Sequence, residues 1–279
     1  SVQFEVSLED LLLGEEATLV VEAEDKLARS RKYRVRMRHA ASDFPLRREV
    51  NWRGVTWVLV DESFYVSSTE ITHGMLRSEV DEVDAIKLWP GGKVPQYERR
   101  GQRVSATDFP IVGVSPGEMA RIAERVWQAR FPKSEEWRKG VDPKNNEWWT
   151  ADAKQRWINY PGLKEPSKIL SLRVEGIPGC GSCKHAPVLS TEDQRRFQKE
   201  TGSSLVHVLG NVQEIVTEGS GKETKYFAVG GHFNTRKIRP DEKIQRRKDQ
   251  GDVNTGYRLL IHPSERAPSE FLRRIKGAQ

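Results

Sequence analysis

The stretch Ser204-Leu205-Val206-His207-Val208-Leu209-Gly210-Asn211-Val212-Gln213-Glu214-Ile215-Val216 is the part of the sequence from which the fold is inferred. Its apolar residues occur in short runs and in alternation with polar residues, as they do in half-buried strands. The pair Gly210-Asn211 interrupts this run, which is typical of a sharp bend with positive φ or a close approach of the backbone. We therefore predict a strand, a fixed turn and a second strand.

Two similar patterns follow downstream, from Tyr226 to Phe233 and from Gly256 to Ile261. The segments between them are too polar to belong to a core. The C-terminal part of the chain is therefore predicted to be a set of short strands that carries loops.

The composition is that of a globular chain with a polar surface. Of its 279 residues, 36% are hydrophobic and 31% are charged, and there are 8 tryptophans. This length holds one large domain, or a medium domain with a small appendage. The net charge of +6 is a mild bias, which permits acidic partners such as nucleic acids without implying them.

The chain has 2 cysteines, which excludes a disulfide framework and allows at most one bridge. No apolar run approaches the roughly 20 residues that a membrane span needs, so we expect no membrane span. The chain starts at Ser1 without a signal-like apolar segment. The sequence leaves the compartment open, and we favour a soluble protein of bacterial type in the cytoplasm.

The N-terminal residues predict a small β unit. Apolar and polar side chains alternate over residues 4–8, 17–23 and 33–37, and polar turns separate these runs. A hairpin is predicted around Arg53-Gly54, because runs of strand-forming residues flank that pair. A further strand from Ser63 leads into a helix that Thr72 can cap. Residues 84–110 are predicted to be a surface excursion, since Pro and Gly become frequent there.

The clearest helix begins after Ser115, a good N-cap that is followed by Pro116 at the first helical position and by Glu118 for a capping box. Its apolar stripe consists of Met119, Ile122, Ala123 and Val126. A short second helix is predicted with Ser134 as its cap. Residues 141–203 are predicted to be mostly without regular structure, which indicates either binding loops or a wrong assignment of elements.

The order of these pieces resembles the formylglycine-generating-enzyme (sulfatase-modifying factor) domain. The resemblance rests on six phrases of that family, which follow one another in the family's order. They are Phe64 to Thr72, Pro110 to Ala120, Arg130 to Trp137, Ser204 to Ile215, Val229 to Phe233 and Gly256 to Leu259. The resemblance implies an α+β, loop-rich domain of C-type-lectin-like fold over residues 49–265, between a β appendage (1–48) and a C-terminal tail (266–279).

The oxidases of this family bind copper through a cysteine pair shortly after the Gly-Gly phrase. No cysteine follows Gly231 here, so the resemblance does not extend to that chemistry. We therefore expect a non-catalytic binding or protein-interaction module. The alternative is a divergent metal-dependent oxidase or modifying enzyme that acts on a protein or peptide side chain.

The two cysteines lie upstream, in the loop-like segment Cys180-Gly181-Ser182-Cys183-Lys184-His185. Cys180, Cys183 and His185 predict a local staple, made either by a disulfide or by a metal. Zinc would need a fourth ligand, for which His207 is a candidate. Copper at this cysteine pair is a further alternative.

The resemblance also implies a calcium site in the stretch from Ser204 to Val216. The matching positions are His207, Gly210, Val212 and Glu214, where His207 replaces an oxygen ligand. The alternative is that Glu214 is a buried carboxylate hydrogen-bonded to amides of the turn.

A basic segment follows the Gly-Gly phrase, and aromatic residues occur in the long irregular region. Cations interleaved with aromatics suit a protein or peptide partner, and a polyanion such as nucleic acid is the other candidate. A solvated charged face is the alternative interpretation. The predicted binding surface consists of His232, Asn234, Arg236, Arg239, Arg246, Arg247, Trp148 and Trp149.

Overall fold

Two four-stranded sheets organise the computed structural model of the chain. The structure describes residues 16–24, 30–38, 46–60, 63–81, 87–88, 97–99, 102–140, 184–201, 204–206, 208–235, 242–265 and 267–276. The strands are β1 (Glu16–Glu24), β2 (Ser30–Arg38), β3 (Glu49–Trp52), β4 (Val55–Val60), β5 (Phe64–Ser67), β6 (Tyr97–Arg99), β7 (Gln102–Val104), β8 (Gln213–Glu218), β9 (Lys225–Val229), β10 (Ile244–Arg246), β11 (Thr255–Gly256) and β12 (Leu260–Ile261). The helices are α1 (His73–Arg77), α2 (Pro116–Ile122), α3 (Ser134–Gly140), α4 (Thr191–Thr201) and α5 (Ser269–Lys276).

One sheet has the strand order β12-β5-β4-β3 and is antiparallel throughout. The other has the order β10-β9-β8-β11, in which β11 runs parallel to β8. The pairs β1-β2 and β6-β7 form separate two-stranded sheets. The described part of the chain is therefore α+β and loop-rich, as predicted, and its sheets are open.

The N-terminal β unit pairs β1 with β2 in antiparallel register, from Glu16 opposite Arg38 to Glu24 opposite Ser30. This confirms the strands predicted over 17–23 and 33–37. The strand predicted over residues 4–8 lies outside the described residues.

The hairpin predicted around Arg53-Gly54 is confirmed by the pairing of β3 with β4. Both turn residues have positive φ, 47° for Arg53 and 68° for Gly54, which is the backbone of a hairpin turn that matches the strand twist. Trp52 and Trp57 on either side of the turn are buried, so the turn is fixed by the core beneath it.

Two predicted helix starts are confirmed. The Thr72 hydroxyl accepts a hydrogen bond from the backbone N–H of Met75 at 3.2 Å, and that of Ser115 accepts one from Glu118 at 3.3 Å. The carboxylate of Glu118 pairs with Arg121 at 2.5 Å. Helix α2 continues as one π-helical stretch over Ala123–Trp127, and its predicted apolar stripe is buried.

Helix α3 begins at Ser134, so the prediction that Ser134 is its N-cap residue is wrong. The N–H of Trp137 bonds to the carbonyl of Lys133, which places Lys133 at the helix boundary. The backbone N–H of Lys133 donates to the Glu136 carboxylate at 2.7 Å, and the Ser134 hydroxyl donates to Glu218 at 2.9 Å. Ser134 therefore connects the helix to β8.

The main core surrounds the aromatic ring of Phe271 on α5, within the segment expected to be a C-terminal tail. The ring centroid of Phe271 lies 5.4 Å from Trp52, 5.9 Å from Trp57 and 5.2 Å from Tyr65. Phe271 and Ile275 have no exposed surface. Helix α5 is thus part of the main core.

Two further predictions of local structure are wrong. Leu205, Val206, Val208 and Leu209 are buried but form no strand, because they pack on the core through side chains while the Val206 N–H donates to the Ser68 carbonyl outside any ladder. Residues 141–203 include helix α4, which was not predicted, and residues 141–183 lie outside the described residues. The surface excursion over 84–110 includes the hairpin β6-β7, and its Tyr97 is fully buried. In the part of the chain that the structure describes, we find no helix long and apolar enough to cross a membrane.

Candidate functional site

A buried ion pair joins β8 to the segment before β12. Arg258 donates through Nε to Oε1 of Glu214 at 2.8 Å, and the exposed fractions of the two side chains are 1% and 0%. The indole N–H of Trp137 donates to the other carboxylate oxygen at 2.7 Å. Burial raises the pKa of Glu214, whereas Arg258 and Trp137 favour its ionised form.

Arg258 also donates hydrogen bonds through both Nη atoms. Nη1 donates to the carbonyl of Ser67 and Nη2 to that of Val206, each at 2.6 Å. Arg258 therefore connects β5 and the buried loop before Gly210 to β8, and its charge is compensated in the interior.

This arrangement does not fit calcium at Glu214. A guanidinium already lies against the carboxylate, and calcium requires six to eight oxygen ligands around the ion. Gly210 and Val212 are buried on either side of Asn211, and His207 lies outside the described residues, so the site as a whole stays a prediction. Glu214 is a buried carboxylate, but its partners are side chains rather than the amides of the turn.

The Gly210-Asn211 bend has the positive φ that was predicted, 74° and 57°. The Asn211 side chain donates to Glu70 at 3.0 Å. The same side chain accepts from the backbone N–H of Ala186 at 2.8 Å and donates to its carbonyl at 3.2 Å. Asn211 therefore fixes the segment that contains His185 against the strand-to-helix turn at Glu70.

His185, predicted as part of a staple, is fully buried beside Phe233, with ring centroids 5.0 Å apart. Neither ring nitrogen forms a hydrogen bond of normal geometry with a described residue. Burial, with a smaller contribution from His232, lowers the pKa of His185 to about 3, although the Val253 backbone and Glu70 oppose this shift. Cys180 and Cys183 lie outside the described residues.

A second buried histidine lies on the other side of Tyr97. The Tyr97 hydroxyl and Nε2 of His73 are 3.3 Å apart. Burial lowers the pKa of His73 to about 3, and Arg77 and His185 contribute in the same direction. Both histidines are therefore neutral in the folded protein at neutral pH.

The turn after β9 carries two residues of the predicted binding surface. Gly230 has a φ of 85°, and a Cβ there would lie 2.8 Å from the Val208 carbonyl, so this position requires glycine. Phe233 is buried against Tyr97 and Phe109 and anchors the turn. Its neighbours His232 and Asn234 are half-buried and exposed, respectively.

Arg246, also predicted for this surface, lies near His232. Arg246 pairs with Asp252 at 2.9 Å and donates to the Gln213 amide oxygen at 2.6 Å. Burial lowers the pKa of His232, Asp252 opposes the shift and Arg246 adds to it. Asp252, which no sequence motif indicated, therefore belongs to this surface.

The exposed Arg247 pairs with Asp249 at 3.0 Å. The other predicted members, Arg236, Arg239, Trp148 and Trp149, lie outside the described residues. Among the described residues, no group of three or more His, Cys, Asp or Glu side chains is arranged to hold a metal ion.

A cleft of about 820 Å³ opens elsewhere, between the end of α2, the strand ends of β8 and β9, and β12. No sequence pattern indicates this cleft, because the residues that line it come from distant segments and form no motif. They are Ala120, Glu124, Gln128, Ala129, Arg130, Phe131, Lys133, Thr217, Gly219, Ser220, Thr224, Tyr226, Leu260, His262 and Glu265.

The structure of this chain is distantly similar to several solved structures. A crystal structure of CarF matches with a TM-score of 0.43 and 15% identity, over 71% of this chain and 86% of that one. Treponema denticola variable protein 1 matches with a TM-score of 0.47 and 12% identity, over 79% of this chain and 93% of that one. No family model matches the chain, and no curated protein matches it significantly. Structural similarity at this low level does not support an inference about the function of the chain.

Proposed function

We propose that the chain is a non-catalytic binding module for a protein or peptide partner. In this proposal its scaffold is the C-type-lectin-like fold of the formylglycine-generating-enzyme family. The partner binds at the surface formed by His232, Asn234, Arg246 and Asp252.

The positions of the family phrases in space support the proposed scaffold. Glu70, Asn211, Trp137, Glu214 and Arg258 come from four of these phrases. Their side chains form two buried groups, Glu70 with Asn211 and Glu214 with Trp137 and Arg258, through hydrogen bonds of 2.7 to 3.0 Å. Phrases that lie far apart in the sequence thus contact one another in the interior, which supports a single scaffold.

One observation carries the binding proposal, namely that the turn with His232 and Asn234 is held rigidly beside the Arg246–Asp252 pair. The backbone N–H of Phe233 donates to the Asn211 carbonyl at 3.0 Å, and that of His232 donates to the Thr235 hydroxyl at 2.9 Å. Polar groups that are fixed before binding lose little conformational entropy when a partner binds.

The charges favour a protein or peptide over nucleic acid. Arg246 and Arg247 each pair with an aspartate, so this part of the surface is close to neutral. Phosphate recognition depends on unpaired cations, and binding there falls steeply with salt. A mixed-sign surface instead suits the mixed charges and amides of a polypeptide.

The test is selection of binders from a phage-displayed random peptide library on the wild-type protein. We expect selected peptides that bind wild type and lose at least about ten-fold in affinity with Asn234→Trp, which covers the surface. Lys225→Trp, at the far end of β9, is the matched control and should bind normally. Peptides that bind both variants equally, or filter binding of DNA with a steep salt dependence, would overturn the proposal.

A further inference from the structure

The cleft between α2, β8, β9 and β12 combines an apolar floor with a charged rim. Ala129, Phe131, Tyr226 and Leu260 of its lining are buried. Its volume of about 820 Å³ lies within the range of pockets that bind small organic molecules.

Arg130 lies in this cleft between two carboxylates. It forms a two-pronged pair with Glu136, in which both N···O distances are 2.7 Å. Burial alone would lower the pKa of Arg130, but hydrogen bonds to Glu136 and Glu265 raise it above its ordinary value. The Glu136 side chain is 12% exposed and also accepts from the Lys133 backbone, so this pair is a fixed part of the structure.

The second carboxylate, Glu265, is held differently. Its side chain is 50% exposed, and its distances to Arg130 are uneven, 2.8 and 3.3 Å. It projects from a turn in which the Glu265 backbone N–H bonds to the His262 carbonyl at 2.8 Å. An exposed pair of this kind contributes little to stability, so Glu265 can leave Arg130 at low cost.

Other polar residues line the same cleft. Nδ1 of His262 accepts from the backbone N–H of Ser264 at 3.3 Å and lies 2.6 Å from the Ser264 hydroxyl. Lys133 and Tyr226 also belong to the lining. The cleft therefore holds residues that can donate hydrogen bonds to a carboxylate beside Arg130, together with the acidic Glu124 and Glu265.

From this geometry we propose that the cleft binds a small amphipathic carboxylic acid, whose carboxylate takes the place of Glu265 on the outer edge of Arg130. The apolar part of the ligand covers Phe131, Tyr226 and Leu260. Glu265 is an intramolecular substitute for the ligand carboxylate, and it competes with the ligand for Arg130. This site is separate from the surface proposed for the protein or peptide partner.

The test uses dansyl-phenylalanine as the probe and dansyl-phenylalanine amide as its uncharged counterpart. Fluorescence titration should show that the acid binds the wild-type protein at least about five-fold more tightly than the amide, since only the acid pairs with a guanidinium. Equal affinities for the two probes would overturn the proposal.

Glu265→Gln should bind the acid about three- to five-fold more tightly than wild type, because the competing carboxylate is gone. Its affinity for the amide should be unchanged. Glu135→Gln makes the same change of net charge at an exposed site outside the cleft and should bind like wild type. An equal gain in both variants would be a nonspecific charge effect and would contradict the proposal.

Ser220→Trp places a large ring on the rim and should weaken binding of both probes at least about ten-fold. Glu223→Trp, in the same loop but outside the lining, is its control. If the acid binds Ser220→Trp as it binds wild type, the cleft is not the site. Asn234→Trp should leave probe binding intact, so failure of this proposal and failure of the proposed function are distinguishable.

Discussion

Arg258 and Glu214 form an ion pair across 2.8 Å in which both side chains are almost completely removed from solvent. Arg258 also donates to two backbone carbonyls, and Glu214 also accepts from Trp137. A buried charge is tolerated only when its partners are in place, so this pair fixes how three segments of the chain meet.

Arg258→Met should destabilise the protein by about 3–5 kcal/mol, because Glu214 would be left buried without its counter-ion. Chemical denaturation of the variant measures this loss. The double variant Arg258→Met/Glu214→Gln should lose clearly less than the sum of the two single changes. A loss below about 1 kcal/mol for Arg258→Met would contradict the assigned role.

Asn211→Asp should be more destabilising than Asn211→Gly. Aspartate and glycine both tolerate the φ of 57° at this position. Aspartate, however, places a second carboxylate 3.0 Å from the Glu70 oxygen and cannot donate a hydrogen bond to it. We expect about 1–3 kcal/mol for glycine and a larger loss for aspartate, measured by denaturant unfolding at pH 7.5. The reverse order would show that the amide does not donate to Glu70.

Stability should fall on acidification below about pH 6.5, the unfolded-state pKa of histidine. The pKa values of His73 and His185 are lowered to about 3 in the folded protein, so the unfolded chain binds protons first as the pH falls. This effect is absent above pH 6.5, and the loss of stability grows progressively as the pH falls toward 3. Each histidine should contribute about 1.4 kcal/mol per pH unit within this window.

The variant for this prediction is His185→Leu, followed by urea denaturation at pH 7.5, 6 and 5. Its unfolding free energy should depend less steeply on pH than that of wild type, by about 1.4 kcal/mol per unit between pH 6 and 5. At pH 7.5 it should be at least as stable, since neither nitrogen of the buried imidazole forms a hydrogen bond of normal geometry with a described residue. An unchanged pH slope would show that His185 is solvated or charged in the folded state.

Glu136→Gln should cost more stability than Glu265→Gln, although both remove a carboxylate from Arg130. The Glu136 side chain is 12% exposed and bonds to a backbone N–H as well, whereas Glu265 is half-exposed. We expect about 1–3 kcal/mol for Glu136→Gln and less than about 1 kcal/mol for Glu265→Gln in thermal or chemical unfolding. Equal losses would mean that Glu265 is a fixed structural partner.

Local features were predicted well where a few neighbouring residues determine the backbone. Ser115 and Thr72 cap their helices, and the positive φ of Gly210 and Asn211 follows from residue types that tolerate it. Helix α4 was missed because Phe197 is its one buried apolar residue. Its start did carry a signal, since the Ser190 hydroxyl accepts from the backbone N–H of Asp193 at 3.2 Å.

The candidate site was less predictable because it depends on contacts between distant residues. A buried carboxylate at Glu214 was the alternative to a calcium ligand, and its partner Arg258 was not foreseen, because it lies 44 positions away and has no periodic relation to Glu214. The strand predicted over residues 204–209 was wrong for a related reason. Apolar side chains of a loop can be buried when backbone groups such as the Val206 N–H form hydrogen bonds outside a sheet. From the sequence, His232 and Arg246 were predicted to lie on one binding surface, whereas His185 was assigned to a different site.

The ion pair and helix α5 together determine the order in which this fold can be completed during synthesis. Glu214 is made before Arg258, and the aromatic rings of Trp52 and Trp57 are made long before Phe271, which covers them. A ribosome-bound chain that ends before residue 258 therefore holds an uncompensated acidic group and an open aromatic core. Contacts over such separations slow folding, so we expect a late, cooperative closing step. Any shortened form of the protein must retain Phe271 and Ile275 to be stable.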